Sequence, residues 1–269
     1  MIRFAWVAIR RAVATGLLVL VAGHVQAQSA TFPGVAVSGI AAGPEIPFRL
    51  YRPDGAGPFP AMVLVHSCAG LNRHTDTWGT LLSSWGYLVV APDSFGPRGV
   101  KQVCTTGAIT ASQRLPDVAG ALKYLADRAD VRADRIGLIG HSHGASTVVR
   151  AVQAANDLAA RGVRAAVAYY PSCSTRTDRT VDIPLLVLIG EKDDWTPAAR
   201  CRQLQAAGFS RPDLVEIVYY PDAFHAFEAD RPDRVVPGNN GHVHQLGFDA
   251  QAASDAEART RAFLQQHLR

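Results

Sequence analysis

One five-residue segment, Gly-His-Ser-His-Gly at positions 140–144, has the composition of a nucleophile turn. The apolar run 135–139 precedes it, and small residues typical of a helix start follow it. A serine on a tight turn between a strand and a helix presents its hydroxyl at the sheet edge, and flanking glycines let the turn close. Ser142 is therefore a candidate nucleophile. The alternative is a serine that only caps the helix.

Two later segments carry the residue types that could activate this serine. Asp193 and Asp194 follow the apolar run 185–189, where a carboxylate could orient an imidazole and stabilise its protonated form. Asp193 is favoured, although either aspartate could instead cap the helix that begins near residue 197. His225 follows the last predicted strand and could act as a general base. The chain order serine, aspartate, histidine is known for nucleophile-turn hydrolases, so the three residues predict acyl transfer.

Acyl transfer through a tetrahedral intermediate also needs N–H donors aimed at the oxyanion. The backbone N–H of His143, the residue after the candidate nucleophile, would supply one donor. The turn that follows an early apolar run would supply the other, from the backbone N–H of Cys68. This chemistry requires no cofactor and no metal ion.

The elements that would position these residues alternate between short apolar runs and longer helical patterns. Runs dense in Val, Leu and Ile are typical of strands buried on both faces of a mainly parallel sheet. The alternation predicts an α/β fold, a doubly wound sheet with helices on both faces. The predicted strands are 46–51, 61–65, 87–91, 135–139, 165–169, 185–189 and 214–219. The predicted helices are 76–85, 111–128 (with Pro116 near its start or at a kink), 143–157, 197–207 and 248–268.

Two segments depart from this alternation. Residues 35–51 contain no helical pattern, which predicts antiparallel strands at the edge of the sheet. Residues 229–247 are rich in Pro, Gly, Asn and His and predict a surface loop, with His242 and His244 facing solvent.

Residues 1–27 have the layout of a secretory signal peptide. Arg3, Arg10 and Arg11 are their only charges, an apolar run 12–22 follows, and 25–27 (Val-Gln-Ala) resemble a cleavage site. An uncleaved membrane anchor is the alternative, although the run is short for a span. Cleavage would leave a single domain, residues 28–269, in the periplasm or the medium. The loss of three arginines and no acids lowers the net charge from +4 to +1, so neither nucleic acid nor a membrane is expected as a partner.

Residues 28–269 resemble the dienelactone hydrolase family of α/β hydrolases. The resemblance implies the α/β-hydrolase fold and a small-molecule substrate of the ester type. It rests on His66-Ser-Cys-Ala-Gly-Leu, Gly140-His-Ser-His-Gly, Gly190-Glu-Lys-Asp-Asp-Trp-Thr-Pro, Ala223-Phe-His-Ala-Phe and the C-terminal segments that begin at Phe248 and Phe263.

The chain departs from that family at the nucleophile itself. The namesake enzymes carry cysteine where this chain has Ser142, which favours a serine esterase over a dienelactone hydrolase. The same groups could also cleave thioesters, lactones, polyesters or peptides, because a fold and a triad do not fix the substrate. A non-catalytic binding protein on the same scaffold is the alternative from another functional class.

Three other residues are candidates for a substrate pocket. Trp195 and Phe224 lie beside Asp193 and His225 in the sequence and could line an apolar acyl pocket or simply pack in the core. Arg98 follows a predicted strand and could meet an anionic substrate or form a structural salt bridge. No metal site is expected, because the histidines at 141 and 143 belong to the nucleophile turn and no Cys-x-x-Cys pair is present.

The four cysteines would all be retained after cleavage, and an even number in an exported protein predicts two disulfides. Three connectivities are possible. The layout of the predicted strands favours Cys173 with Cys201, on the same rim of the sheet, which leaves Cys68 for Cys104.

Overall fold

The structure is a computed structural model of the 269-residue chain, and it describes Met1, residues 30–174 and residues 178–268. The predicted signal peptide, apart from Met1, lies outside the described residues. Among those residues, no helix has the length and apolar character needed to cross a membrane.

Eight strands form one twisted sheet in the order β1-β2-β4-β3-β5-β6-β7-β8. The six strands from β4 to β8 in this order are parallel, whereas β2 pairs with β4, and β1 with β2, in the antiparallel sense. The mainly parallel sheet and the antiparallel edge that the sequence predicts are therefore confirmed. The strands are β1 (Thr31–Pro33), β2 (Glu45–Tyr51), β3 (Phe59–Val65), β4 (Leu88–Pro92), β5 (Val131–His141), β6 (Val163–Tyr169), β7 (Leu185–Gly190) and β8 (Val215–Tyr220).

Helices cover both faces of this sheet, which confirms the predicted doubly wound architecture. One core cluster joins α2 and α3 to one face, and a second joins α1, α4 and α5 to the other. In β3, Val63 and Val65 belong to the first cluster and Met62 and Leu64 to the second, because successive side chains of a strand point to opposite faces. The helices are α1 (Arg73–Ser84), α2 (Leu115–Ala126), α3 (His143–Ala151), α4 (Ala198–Ala206) and α5 (Ala250–Leu268).

Capping residues and proline determine where the helices begin more precisely than the spacing of apolar residues predicts. Helix α1 begins three residues before its predicted start, because the side chain of Asn72 accepts from the backbone of His74 and Thr75 closes a capping box. Pro116 lies in the first turn of α2, where its missing N–H has no intrahelical role. Helix α3 is shorter than predicted and ends at Ala151.

The prediction of a surface loop at 229–247 is wrong in part. Two strands, β9 (Arg234–Pro237) and β10 (Val243–Leu246), form an antiparallel hairpin there, separate from the main sheet. Its short strands alternate outward and inward side chains, and the Asn-Asn-Gly turn between them gave the loop-like composition.

Candidate active site

Ser142 occupies the sharp turn between β5, which ends at His141, and α3, which begins at His143. Its backbone has φ 53° and ψ −114°, a strained conformation for a residue with a side chain. The turn is also tightly packed: a Cβ atom on Gly144 would lie 2.0 Å from the carbonyl oxygen of Val65, at the end of β3. This approach places the start of α3 against the turn that follows β3.

A continuous chain of hydrogen bonds joins the three candidate catalytic side chains. Nδ1 of His225 lies 2.8 Å from Oδ2 of Asp193, and Nε2 of His225 lies 3.0 Å from Oγ of Ser142. The carboxylate can only accept, so Nδ1–H donates to it and Nε2 is left to accept the serine proton. All three residues are buried. The geometry is that of a serine with a general base and an orienting acid.

Asp193 also caps the turn in which it lies. Its Oδ1 accepts from the backbone N–H groups of Trp195 (2.9 Å) and Thr196 (2.8 Å), and the Thr196 hydroxyl lies 2.8 Å from Oδ2. Asp193 does not cap helix α4, whose N-cap residue is Pro197 and receives no side-chain hydrogen bond; its carboxylate instead orders the preceding turn and contacts His225.

Asp194 points to a different partner. Its carboxylate accepts from the backbone N–H of Gln245 and lies 3.3 Å from Nδ1 of His244, both on β10. The prediction that His244 faces solvent is wrong: it is buried and stacks on Trp195, with ring centroids 4.8 Å apart and planes 10° from parallel. Asp194 and Trp195 thus hold the hairpin over the site.

Two aromatic rings flank the imidazole of His225. The ring centroid of Tyr170 lies 4.6 Å away and that of Trp195 5.1 Å away. Tyr170 directly follows β6, and its backbone φ is 42°, the left-handed region that most side chains avoid. The two rings restrict the rotation of the imidazole about its side-chain bonds.

The turn after β3 is fixed from several sides. Cys68 and Cys104 form a disulfide, and the backbone N–H of Val103 donates to the carbonyl of Cys68 (2.8 Å). His66 accepts from the backbone N–H of Ser94 at Nε2 (3.2 Å), and its Nδ1 lies 2.8 Å from the carbonyl of Ser67.

The second disulfide joins Cys173 to Cys201, so the structure contains the pairing that the strand layout favours.

A cavity of about 500 Å³ opens above Ser142 and His225. The turn after β3 forms one wall, Tyr170 and Trp195 another, and the hairpin forms the roof with Arg234, Val236 and Leu246. A second cavity of about 390 Å³ lies on the other side of the serine and is bordered by Cys68, Ser142 and His143. The two spaces meet at the candidate nucleophile.

Residues 46–268 match the sequence model of the dienelactone hydrolase family. The chain belongs to this family. Among curated proteins it is 27% identical over 218 residues to the "Putative carboxymethylenebutenolidase" of Methylorubrum extorquens, with 73% of each chain covered. It is 26% identical over 209 residues to the "Probable 2-oxo-3-(5-oxofuran-2-ylidene)propanoate lactonase" of a Bradyrhizobium species, covering 70% of this chain and 81% of that protein.

The fold of this dienelactone hydrolase family member also matches solved structures. A "Putative Dienelactone Hydrolase" from Klebsiella pneumoniae superposes with a TM-score of 0.68 at 23% identity, covering 88% of this chain and all of that one. The likeness confirms the α/β-hydrolase fold.

Two predicted pocket residues are not part of the cavity. Arg98 makes two hydrogen bonds of 2.9 Å to the buried carboxylate of Asp117 and donates to the carbonyl of Ser94, so it is the structural salt bridge that the sequence offered as its alternative. Phe224 is partly exposed and packs against Lys192 and Gly247 outside the lining. Trp195 does line the cavity.

The side chain of His143 makes structural hydrogen bonds. Its Nδ1 accepts from the guanidinium of Arg114 (2.9 Å), and its Nε2 donates to the carbonyl of Ile109 (2.9 Å). Burial and the charge of Arg114 lower the pKa of His143 to about 3, so the imidazole is neutral. Burial also lowers the pKa of Arg114 to about 9.

Several site residues were not identified from the sequence. Tyr170, Thr196, Arg231 and Arg234 border the triad or its cavity, and Glu228 accepts a hydrogen bond from the hydroxyl of Tyr170. Tyr170 stands directly after β6, so the rule that led to Asp193 and His225 could have identified it. Arg234 lies on the hairpin and Arg231 just before it, both within the segment for which the sequence predicts a surface loop.

Proposed function

We propose that the protein is an exported serine hydrolase that cleaves carboxylic esters through an acyl-enzyme on Ser142. The observation that carries the proposal is the unbroken hydrogen-bonded chain from Ser142 through His225 to Asp193. It is buried, lies at the carboxyl ends of parallel strands and opens into a substrate-sized cavity. Membership of a hydrolase family supports the same conclusion.

The reaction has two halves. Nε2 of His225 takes the proton of Ser142 Oγ as that oxygen attacks the ester carbonyl, and the imidazolium returns the proton to the leaving alcohol. Water, deprotonated by the same nitrogen, then hydrolyses the acyl-enzyme. Asp193 holds the productive tautomer and stabilises the imidazolium throughout.

The oxyanion is assigned to the backbone N–H groups of Cys68 and His143. His143 is the first residue of α3, so its N–H has no intrahelical acceptor and points out of the helix start. The close packing of Gly144 on Val65 brings this helix start and the turn of Cys68 together. An ester lying across Ser142 could place its acyl and alcohol portions in the two cavities that meet there.

Export is the second part of the proposal. Two disulfides suit an oxidising compartment such as the periplasm, where thiols do not remain reduced. We propose that residues 1–27 are the signal peptide and residues 28–269 the mature single domain. N-terminal sequencing of protein purified from the periplasm should begin at Gln28, whereas an intact N-terminus in the membrane fraction would support the anchor instead.

Fluorophosphonate labelling tests the nucleophile. The expected result is one adduct on Ser142, found by peptide mass spectrometry, and no adduct in Ser142→Ala. A Ser67→Ala variant is the matched control, because Ser67 also lines the cavity but lies outside the triad. An unlabelled wild type would support the non-catalytic binding protein. p-Nitrophenyl esters of increasing chain length would then define the acyl preference.

A lactone or ester that carries a carboxylate is a second candidate substrate. Arg231 and Arg234 line the cavity, and no acidic residue does so in the described part of the chain. The names of both relatives denote hydrolases of lactones that carry a carboxylate group. Replacing both arginines with Gln should raise KM for an anionic ester about tenfold and leave a neutral analogue unchanged. Lys123→Gln, an exposed charge on α2, is the control.

A further inference from the structure

Beside the triad, three side chains of metal-ligand type converge from separate parts of the fold. His74 lies in α1, His141 ends β5, and Glu228 follows β8 three residues after His225. Nε2 of His74 lies 2.8 Å from Oε1 of Glu228, and Nε2 of His141 lies 3.8 Å from the same oxygen. The three ligand atoms all lie within 4.8 Å of one another.

Two of the polar atoms in this group are buried without a hydrogen-bond partner. They are Nε2 of His141 and Oε2 of Glu228, whose side chains are 2% and 4% exposed. Buried polar atoms are almost always paired, so orphan atoms point to a bound water or ion. One orphan is a nitrogen and the other a carboxylate oxygen, which together suit a cation better than a single hydrogen bond.

We propose that His74, His141 and Glu228 form a binding site for a divalent transition-metal ion of the zinc class. Two imidazoles and one carboxylate are a donor set that Zn²⁺ prefers, in contrast to the all-oxygen sets of Mg²⁺ and Ca²⁺. Ligand atoms of one tetrahedral Zn²⁺ lie roughly 3.4 Å apart, from metal–ligand distances of about 2.0–2.2 Å. Shifts of less than about 1 Å would give that geometry.

The surroundings provide both an entrance and outer-sphere support. A cavity of about 340 Å³ borders His74 and Glu228, so an ion and a water ligand could enter through it. Tyr170 donates its hydroxyl to Oε1 of Glu228 at 2.6 Å, as outer-sphere partners orient a ligating carboxylate. The rings of Trp78 and Tyr169 pack on His141, with centroids 4.8 and 5.0 Å away.

The bound ion would join α1, the end of β5 and the loop after β8 directly beneath the active-site wall. Because Tyr170 contacts both Glu228 and His225, the ion would also fix the ring that flanks the imidazole. The site uses no triad residue, so its existence does not depend on ester hydrolysis.

Metal titration of the chelator-stripped mature protein tests the site. Isothermal titration calorimetry with Zn²⁺ should give one site per chain, and Co²⁺ should give the intense visible absorption of a four-coordinate centre. Glu228→Gln and His74→Asn should each weaken Zn²⁺ binding about 100-fold or more, and Tyr170→Phe about tenfold. His242→Asn, an exposed histidine on the hairpin turn, should bind as the wild type does.

Three results would overturn the proposal. They are no saturable binding of Zn²⁺, equal binding by the wild type and the ligand variants, or a pale six-coordinate Co²⁺ spectrum. Circular dichroism would show whether each variant is folded. If a ligand variant does not fold, a crystal of the wild type soaked in Zn²⁺ decides the matter, because anomalous density must lie among the three side chains and not elsewhere.

Discussion

The carboxylates of Asp193 and Glu228 are both buried close to the triad, but their hydrogen bonding differs. Asp193 has both oxygens occupied: Oδ1 by two backbone N–H groups and Oδ2 by His225 and Thr196. Glu228 receives two donors on Oε1 and, within the described residues, none on Oε2. Tyr170 links the two groups, because its hydroxyl donates to Glu228 and its ring packs on His225, the partner of Asp193.

The hydrogen-bond network of Asp193 is thus complete, or finished, whereas that of Glu228 is unfinished because Oε2 has no partner. A carboxylate whose lone pairs are all used holds its partner in one geometry, which is what an orienting acid must do. A buried carboxylate with one unpaired oxygen retains capacity for another ligand at that oxygen, where desolvation is not compensated by a hydrogen bond. We therefore expect substitutions at the first group to change the reaction and substitutions at the second to change stability and metal binding.

The largest expected effect lies at the start of the finished network. Ser142→Ala should lower kcat for a p-nitrophenyl ester by about 10⁴- to 10⁶-fold, because no acyl-enzyme can form. Stopped-flow and long-time assays would measure it, with circular dichroism to verify the fold. A variant that keeps more than about a tenth of the activity would place the nucleophile elsewhere.

The two neighbouring aspartates should differ sharply. Asp193→Asn should lower kcat by about 10⁴-fold, since an amide would present the wrong tautomer of His225. Asp194→Asn removes a partner of the hairpin and should change kcat less than tenfold. Comparable losses in the two variants would contradict the assignment of Asp193 as the orienting acid.

A substitution at Thr196 tests whether the full set of hydrogen bonds to the Asp193 carboxylate is needed for activity. Thr196→Val keeps the shape of the side chain and removes the hydroxyl 2.8 Å from Oδ2 of Asp193. Because the variant loses one hydrogen bond to a charged group, we expect kcat to fall about tenfold and KM to change little. A loss confined to KM would instead mean that the residue acts on the pocket.

The smallest change in activity is expected at the unfinished group. In metal-free buffer, Glu228→Gln should lower the free energy of unfolding by about 1–3 kcal/mol, measured by urea titration, and kcat by only a few fold. Glu257→Gln, an exposed residue of α5, should change neither. A loss of kcat as large as that of Asp193→Asn would show that Glu228 belongs to the reaction.

The sequence predicts the sheet, and the meeting of Ser142, Asp193 and His225, because both depend on local signals. Apolar runs mark strands whose two faces are buried, and the residues after them fall on one rim by topology. Arg98 shows the limit of that rule: it follows a strand, yet its partner Asp117 comes from α2 and turns it away from the cavity. No local pattern encodes that pairing.

The cluster around Glu228 was beyond sequence reasoning for a similar reason. His74, His141 and Glu228 are separated by 154 residues from first to last, and only the crossing of α1, β5 and the last loop brings them together. His141 was attributed to the nucleophile turn, although its side chain points away from Ser142 into this group. The hairpin was missed because its strands are short and its turn is rich in loop residues.

That hairpin gives the enzyme a part that can vary independently. Its inner face lines the cavity, whereas Val235 and Val243 on its outer face are 60% and 64% exposed. Among the described residues, β9 and β10 pair with no strand of the main sheet, and one isolated bridge joins Leu246 to His225 in the loop after β8. Evolution or an engineer could exchange residues 231–246 to accept new substrates and leave Ser142, Asp193 and His225, which lie on turns that follow strands of the main sheet, in place.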